Sequence, residues 1–191
     1  MTAPPSGPPS APLPRKPGKP LTAQRLENAA LHYLERFAAS ADSLRRVLLR
    51  RVERSAREHE TDREEGAQWV AALIARYQAS GLLNDAAFAE AKTASLHRRG
   101  GSTRAIRQKL SAKGVGEDDI ARALAERLDV SSGDPDLEAA LALCRRRRLG
   151  PHRPAGAREA ARDKDLAALG RAGFDYETAR RAVDWRDEEA N

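Results

Sequence analysis

Apolar residues along this chain recur every three or four positions, and nowhere do they alternate for long enough to make a strand. Thr22 is placed to cap a helix with Leu26, Ala30, Tyr33, Leu34 and Phe37 on one face. A second helix starts at Ser40 or Asp42 and carries Leu44, Leu48 and Val52 at spacings of four. Residues 55–66, SAREHETDREEG, mix their charges without a stripe and read as a loop or a frayed helix end. Trp69, Val70, Leu73, Ile74 and Tyr77 form the clearest amphipathic stripe, ended by Gly81. Asn84 caps a helix bearing Phe88 and Leu96 that stops at Gly100-Gly101. Ser102 opens a short one with Ile106 and Leu110 inward, closed by Gly114. Glu117, Asp118 and Asp119 suit the first turn of a helix with Ile120, Leu124 and Leu128. Ser131-Ser132-Gly133 breaks the chain. Asp134-Pro135 then starts a helix with Leu137, Leu141 and Cys144 inward. Two more, over roughly 157–172 and 176–188, bring the expected count to nine.

The nine fall into threes. Similar segments start at Tyr77 (YQASGLLNDAAFAEA), Leu110 (LSAKGVGEDDIARAL) and Leu169 (LGRAGFDYETARRAV). In each, a glycine (Gly81, Gly114 or Gly173) supplies a left-handed helix end. An apolar residue after it (Leu82, Val115 or Phe174) is expected to pin the chain to the core. The expected fold is all-α, three tandem three-helix repeats over residues 21–83, 84–130 and 131–191. Residues 1–20 hold 8 of the 11 prolines and little to bury, so a disordered Pro-rich tail is expected there.

Composition narrows the chemistry. Of the 191 residues only 4% are aromatic, and the single cysteine, Cys144, rules out an internal disulfide. No run approaches the roughly 20 apolar residues of a membrane span, and no apolar leader opens the chain. A cytoplasmic protein is expected, without membrane contact. His32, His59, His97 and His152 are scattered without metal-ligand spacing and are expected exposed or at helix edges. Cys144 reads as a small buried hydrophobe rather than a nucleophile. No phosphate-cradling glycine pattern or G-x-S-x-G occurs. Neither metal nor cofactor nor enzymatic activity is expected.

Charge supplies the candidate site. The net charge is +6. Arginine makes up 28 of the 34 basic residues, a bias that base composition of the genome could explain. Distribution says more. Residues 81–116 carry seven positive and two negative charges, and residues 117–143 two positive and eight negative. Arg98, Arg99, Arg104, Arg107, Lys109 and Lys113 flank the Gly100-Gly101 turn, with Arg104 and Arg107 one helical turn apart. They could meet phosphates or a carboxylate-rich protein face, or simply form a solvated helix face. Arg145, Arg146, Arg147 and Arg148 read as a charged helix end, and Arg45, Arg46, Arg50 and Arg51 as a second exposed edge. Aromatics fall mostly on apolar stripes, so base-stacking platforms are not expected.

GLLNDAAFAEA (81–91) followed by RRGGSTRAIRQKLSAKGV (98–115) resembles the hallmark region of the RecX family, bacterial regulators of the recombinase RecA. The matching positions are Gly81, Leu82, Leu83, Asn84, Asp85 and Phe88, then Arg98, Gly100, Ile106, Arg107, Leu110, Lys113, Gly114 and Val115. Leu82 stands where the family commonly has an aromatic, and Gly116 where it has a Ser-like cap. The resemblance implies an elongated array of three-helix repeats. It also implies a monomeric, non-enzymatic modulator that lies along the RecA–DNA filament and restrains polymerisation, strand exchange and co-protease activity. The alternative from another class is a small basic protein that binds single- or double-stranded DNA directly.

Overall fold

The computed structural model describes residues 20–59, 61–130 and 133–186. The expected tail over 1–19, the Ser131-Ser132 break and the chain beyond 186 lie outside the described residues. Among the described residues there are nine α-helices and no strand. They are α1 (Ala23–Leu34), α2 (Ala41–His59), α3 (Arg63–Ala79), α4 (Asp85–Arg98), α5 (Thr103–Ser111), α6 (Glu117–Val130), α7 (Pro135–Arg147), α8 (Ala155–Arg171) and α9 (Tyr176–Val183). Local chemistry sets most of the starts. The side chains of Thr22, Asn84, Ser102, Asp134 and Asp175 each accept a backbone N–H of the first turn they precede.

Three elements differ from the expectation. Residues 55–66 are mostly helical, because α2 runs on to His59 and α3 begins at Arg63. The stripe there is built from small residues. Ser55 is buried and its hydroxyl accepts the Leu21 N–H at 3.0 Å, while Gly66 is buried where a Cβ would overlap Val52. Asp62 caps α3, and Glu53 pairs with Arg57 one turn on and with Arg63 across the short connection. Phe37 lies off the first stripe. α1 ends at Leu34, and the N–H of Phe37 bonds back to the Tyr33 carbonyl, leaving the ring 52% exposed. At the other end α9 stops at Val183, where Asp184 turns away to accept two hydrogen bonds from Arg162.

Each set of three helices encloses its own core. Leu26, Leu44, Leu48, Val70, Ile74 and Tyr77 fill the first, between α1, α2 and α3. Ala89, Ile106, Leu110, Val115 and Ile120 fill the second, and Leu137, Leu143, Cys144, Leu169, Phe174 and Ala182 the third. The glycines at the ends of α3, α5 and α8 all adopt positive φ (75° at Gly81, 73° at Gly114, 94° at Gly173). Their contexts differ, however. Gly114 and Gly173 join the second and third helices of a repeat, and Val115 and Phe174 after them are buried. Gly81 joins one repeat to the next. There the backbone loop is a residue longer, Leu83 N–H bonding to Tyr77 O, so Leu83 is buried and Leu82 is 52% exposed.

The same joint chemistry connects consecutive repeats. At the first joint the Asp85 carboxylate accepts the N–H of Ala41, the first residue of α2, at 2.8 Å. The Ser40 hydroxyl, which accepts the Ser43 N–H, donates to the Lys113 carbonyl at the end of α5. At the second joint the Asp136 carboxylate accepts both the N–H and the hydroxyl of Thr103, the first residue of α5, each at 2.8 Å. The Ser102 hydroxyl donates to the Ala172 carbonyl at the end of α8 at 2.9 Å. The negative end of one second helix therefore meets the positive end of the one before it. Gly114 and Gly173 permit the approach, since a Cβ would overlap Asp42 at the first and lie 2.7 Å from Ser102 Oγ at the second.

Candidate partner-binding surface

All six candidate cations are exposed, and the fold distributes them around α5. Arg98 ends α4 and Arg99 caps it; Arg104, Arg107 and Lys109 lie on α5; Lys113 follows its C-terminus. At 1.5 Å per residue α5 is roughly 14 Å long, so Arg104 and Lys113 stand at opposite ends. The charges are not equally available. Arg107 is paired with Glu117 of α6, whereas Arg98, Arg99, Arg104, Lys109 and Lys113 make no ion pair among the described residues. Exposed cations without an internal counter-ion keep their donors free for an anionic partner.

Packing brings in cations that the sequence pattern kept apart. Gly100 sits so close to α7 that a Cβ there would lie 2.7 Å from the Leu143 nitrogen. This approach lets Arg146 donate to the Arg99 carbonyl at 2.6 Å. The arginine run at the end of α7 thus adjoins the end of α4 and is more than a terminus balancing its own dipole. On the other side Arg46 of α2 donates to the Ala112 carbonyl at 2.9 Å and pairs with Asp42, placing it beside Lys113. Neither Arg46 nor Arg146 could be assigned to this surface from spacing, because both contacts span more than 45 residues of chain.

Three aromatics, Phe37, Tyr176 and Trp185, are exposed rather than on a stripe. Phe37 stacks at a tilt on Tyr33, ring centroids 5.2 Å apart, and its open side lines an apolar groove with Leu82, Phe88 and Ala91.

Three buried groups that could carry acid–base or nucleophilic chemistry, His97, Cys144 and Asp165, are occupied structurally. His97 is buried, not at an edge. Its Nε2 lies 2.6 Å from the Pro135 carbonyl and its Nδ1 accepts from Arg127 Nε at 3.3 Å, binding α4 and α6 to the start of α7. Cys144 is fully buried, and desolvation, with the nearby Asp165 charge, pushes its thiol up to about 11, leaving no thiolate near neutral pH. Asp165 itself is 1% exposed. It accepts two hydrogen bonds from Arg153 at 2.7 Å and the Gly150 N–H at 2.8 Å. The Arg153 bonds hold its carboxyl below the ordinary value of 3.8 despite burial. Its place four residues before buried Leu169 was the sequence signal for an inward carboxylate. Among the described residues no three His, Cys, Asp or Glu side chains are grouped to hold a metal, and no helix is long and apolar enough to cross a membrane.

Comparison with known proteins agrees with this architecture. Residues 84–124 match the family model for the second three-helix domain of RecX. A solved structure described as the regulatory protein RecX superposes with a TM-score of 0.56 at 22% identity, over 85% of this chain and 71% of that one, a likeness of fold. A protein of Agrobacterium fabrum named Regulatory protein RecX is 34% identical over 85% of this chain and 84% of its own length. Its namesake from Myxococcus xanthus is 46% identical over 90% of each chain. With three cores of three helices each and this identity along nearly its whole length, the chain belongs to the RecX family of regulatory proteins.

Proposed function

We propose that this protein regulates the RecA recombinase in the cytoplasm, binding the RecA–DNA filament as a monomer and restraining its ATPase, strand exchange and co-protease activity in DNA repair and the SOS response. The repeats over 21–83, 84–130 and 131–191 would span neighbouring recombinase subunits, with Arg98, Arg99, Arg104, Arg107, Lys109 and Lys113 at the contact. Family membership carries the regulatory part of this reading. The five cations without internal ion pairs support the contact: each can form charge-assisted bonds to carboxylates or phosphates, and together they steer an anionic partner.

Recombinase ATPase on single-stranded DNA, measured against increasing amounts of this protein, tests the reading. Inhibition well below saturation of the DNA, together with binding that requires assembled filament, is the expected result. Direct competition for DNA would look different. Binding to DNA alone, with affinity falling linearly in log–log against salt, and no effect on the recombinase beyond DNA capture would replace it with the second reading, a DNA-binding protein.

A further inference from the structure

The same chemistry occurs at both joints between the described repeats, and the corresponding groups are absent from α8 and α1. α2 and α5, each followed by another repeat, begin with a serine cap whose hydroxyl reaches a carbonyl of the next repeat. α8, the corresponding helix of the third repeat, is preceded at its capping position by Pro154, which has no hydroxyl and makes no side-chain cap. α4 and α7 open repeats that have a predecessor, and each carries the aspartate that reaches back, Asp85 or Asp136. α1, which opens the first repeat, has no acid in its first turn. Aspartates serving only their own helix dipoles would have no reason to avoid α1, nor would a serine cap serving only its own helix avoid α8.

Geometry makes the joint more than an adhesive. The aspartate comes from the first helix of the following repeat and the carbonyl acceptor from the end of its second helix. Two attachment points on different helices, both converging on one helix start, fix rotation as well as distance. We propose that Asp85 and Asp136 are positioning residues: they set the angle between successive repeats, and so the spacing at which the cations of α5 and those beside it at Arg46 and Arg146 are presented. The functional arm of this inference rests on the filament reading; the geometric arm does not. Neither aspartate needs to touch the partner, since Asp136 spends its Oδ1 on two bonds to Thr103.

The test uses the full chain with Asp136→Ala, Asp136→Asn and Asp85→Ala, far below the melting midpoint and at wild-type helical circular dichroism. Asp136→Ala is expected to speed hydrogen exchange at the Thr103 amide about tenfold, the scale of one lost charge-assisted bond. It should also change the small-angle scattering curve and weaken recombinase inhibition severalfold. Asp136→Asn keeps an amide oxygen that can accept both bonds and should stay near wild type in scattering and inhibition. If Asp136→Ala does not fold, Asp85→Ala carries the same expectations at the Ala41 amide. An unchanged scattering curve with unchanged exchange in the alanine variants overturns the proposal. So does equal loss of inhibition in the alanine and asparagine variants without a change in scattering, which would mark Asp136 as a contact charge. A wild-type protein that fails to inhibit the recombinase removes the filament reading instead, and scattering and exchange still decide the joint.

Discussion

At the scale of single residues, left-handed glycines separate backbone strain from tertiary crowding. Gly81 and Gly114 share nearly the same φ, but a Cβ at Gly81 meets nothing within 4 Å while one at Gly114 overlaps Asp42. Gly81→Ala is therefore expected to cost about 1 kcal/mol, and Gly114→Ala about 3 kcal/mol, strain plus overpacking. Urea denaturation midpoints measure both; equal losses would mean that the first joint yields to a methyl group. Asp165 gives a second residue-level expectation, in pH. Its folded carboxyl is held below the ordinary 3.8, so the unfolded chain takes up the proton first. The stabilisation is thus complete at neutral pH and is lost as pH falls from about 4 downward. Asp165→Asn should cost roughly 3 kcal/mol at pH 7, with the two stability curves converging in acid. A Trp69→Phe background, leaving Trp185 to report on the third repeat, follows this by fluorescence; parallel curves would refute it. Both glycines were legible as helix ends from the residues around them. Asp42 facing Gly114 was not, since 72 residues separate the two.

Helices are where the sequence was most readable and where its misses are instructive. Starts at Thr22, Asn84, Ser102 and Asp134 follow from side chains that satisfy the first N–H groups within four residues, a purely local transaction. Residues 55–66 escaped because Ser55 and Gly66 sit on the buried face without looking apolar; only contact with Leu21 and Val52 makes them interior. The α5 surface divides in the same way. Charge density pointed to six cations, but Arg107 is committed to Glu117 across the turn to α6. Arg104→Glu should therefore weaken recombinase inhibition about tenfold with an unchanged melting temperature. Arg107→Glu should do so less, at a stability cost of roughly 0–1 kcal/mol, since the broken pair is exposed. Titration of ATPase inhibition at two salt concentrations, paired with thermal melts, checks both. Wild-type potency for Arg104→Glu would move the contact off α5.

For the whole molecule, three small cores do the work that one large core does in other chains of this length, and the joints must hold them in order. Described structure begins at Pro20, where Leu21 packs on the first core and bonds to Ser55. A chain starting at Pro20 should then keep the helical circular dichroism and melting temperature of the full protein; a fall of several degrees would show that residues 1–19 contribute to folding. The sequence by itself determined the helical class, most helix limits and the grouping into threes, because periodicity, caps and left-handed glycines act within a few residues of chain. The Gly81 segment resembles those at Gly114 and Gly173 although it links helices of two different cores, α3 and α4, while the other two lie within one core, since any helix–turn–helix needs the same local ingredients. Only the tertiary structure decided which ends meet: Ser40 with Lys113, Ser102 with Ala172, Arg99 with Arg146, His97 with Pro135. Those pairs are joined by single hydrogen bonds between residues 38 to 73 apart, and no local pattern of polar and apolar residues encodes a partner at that distance.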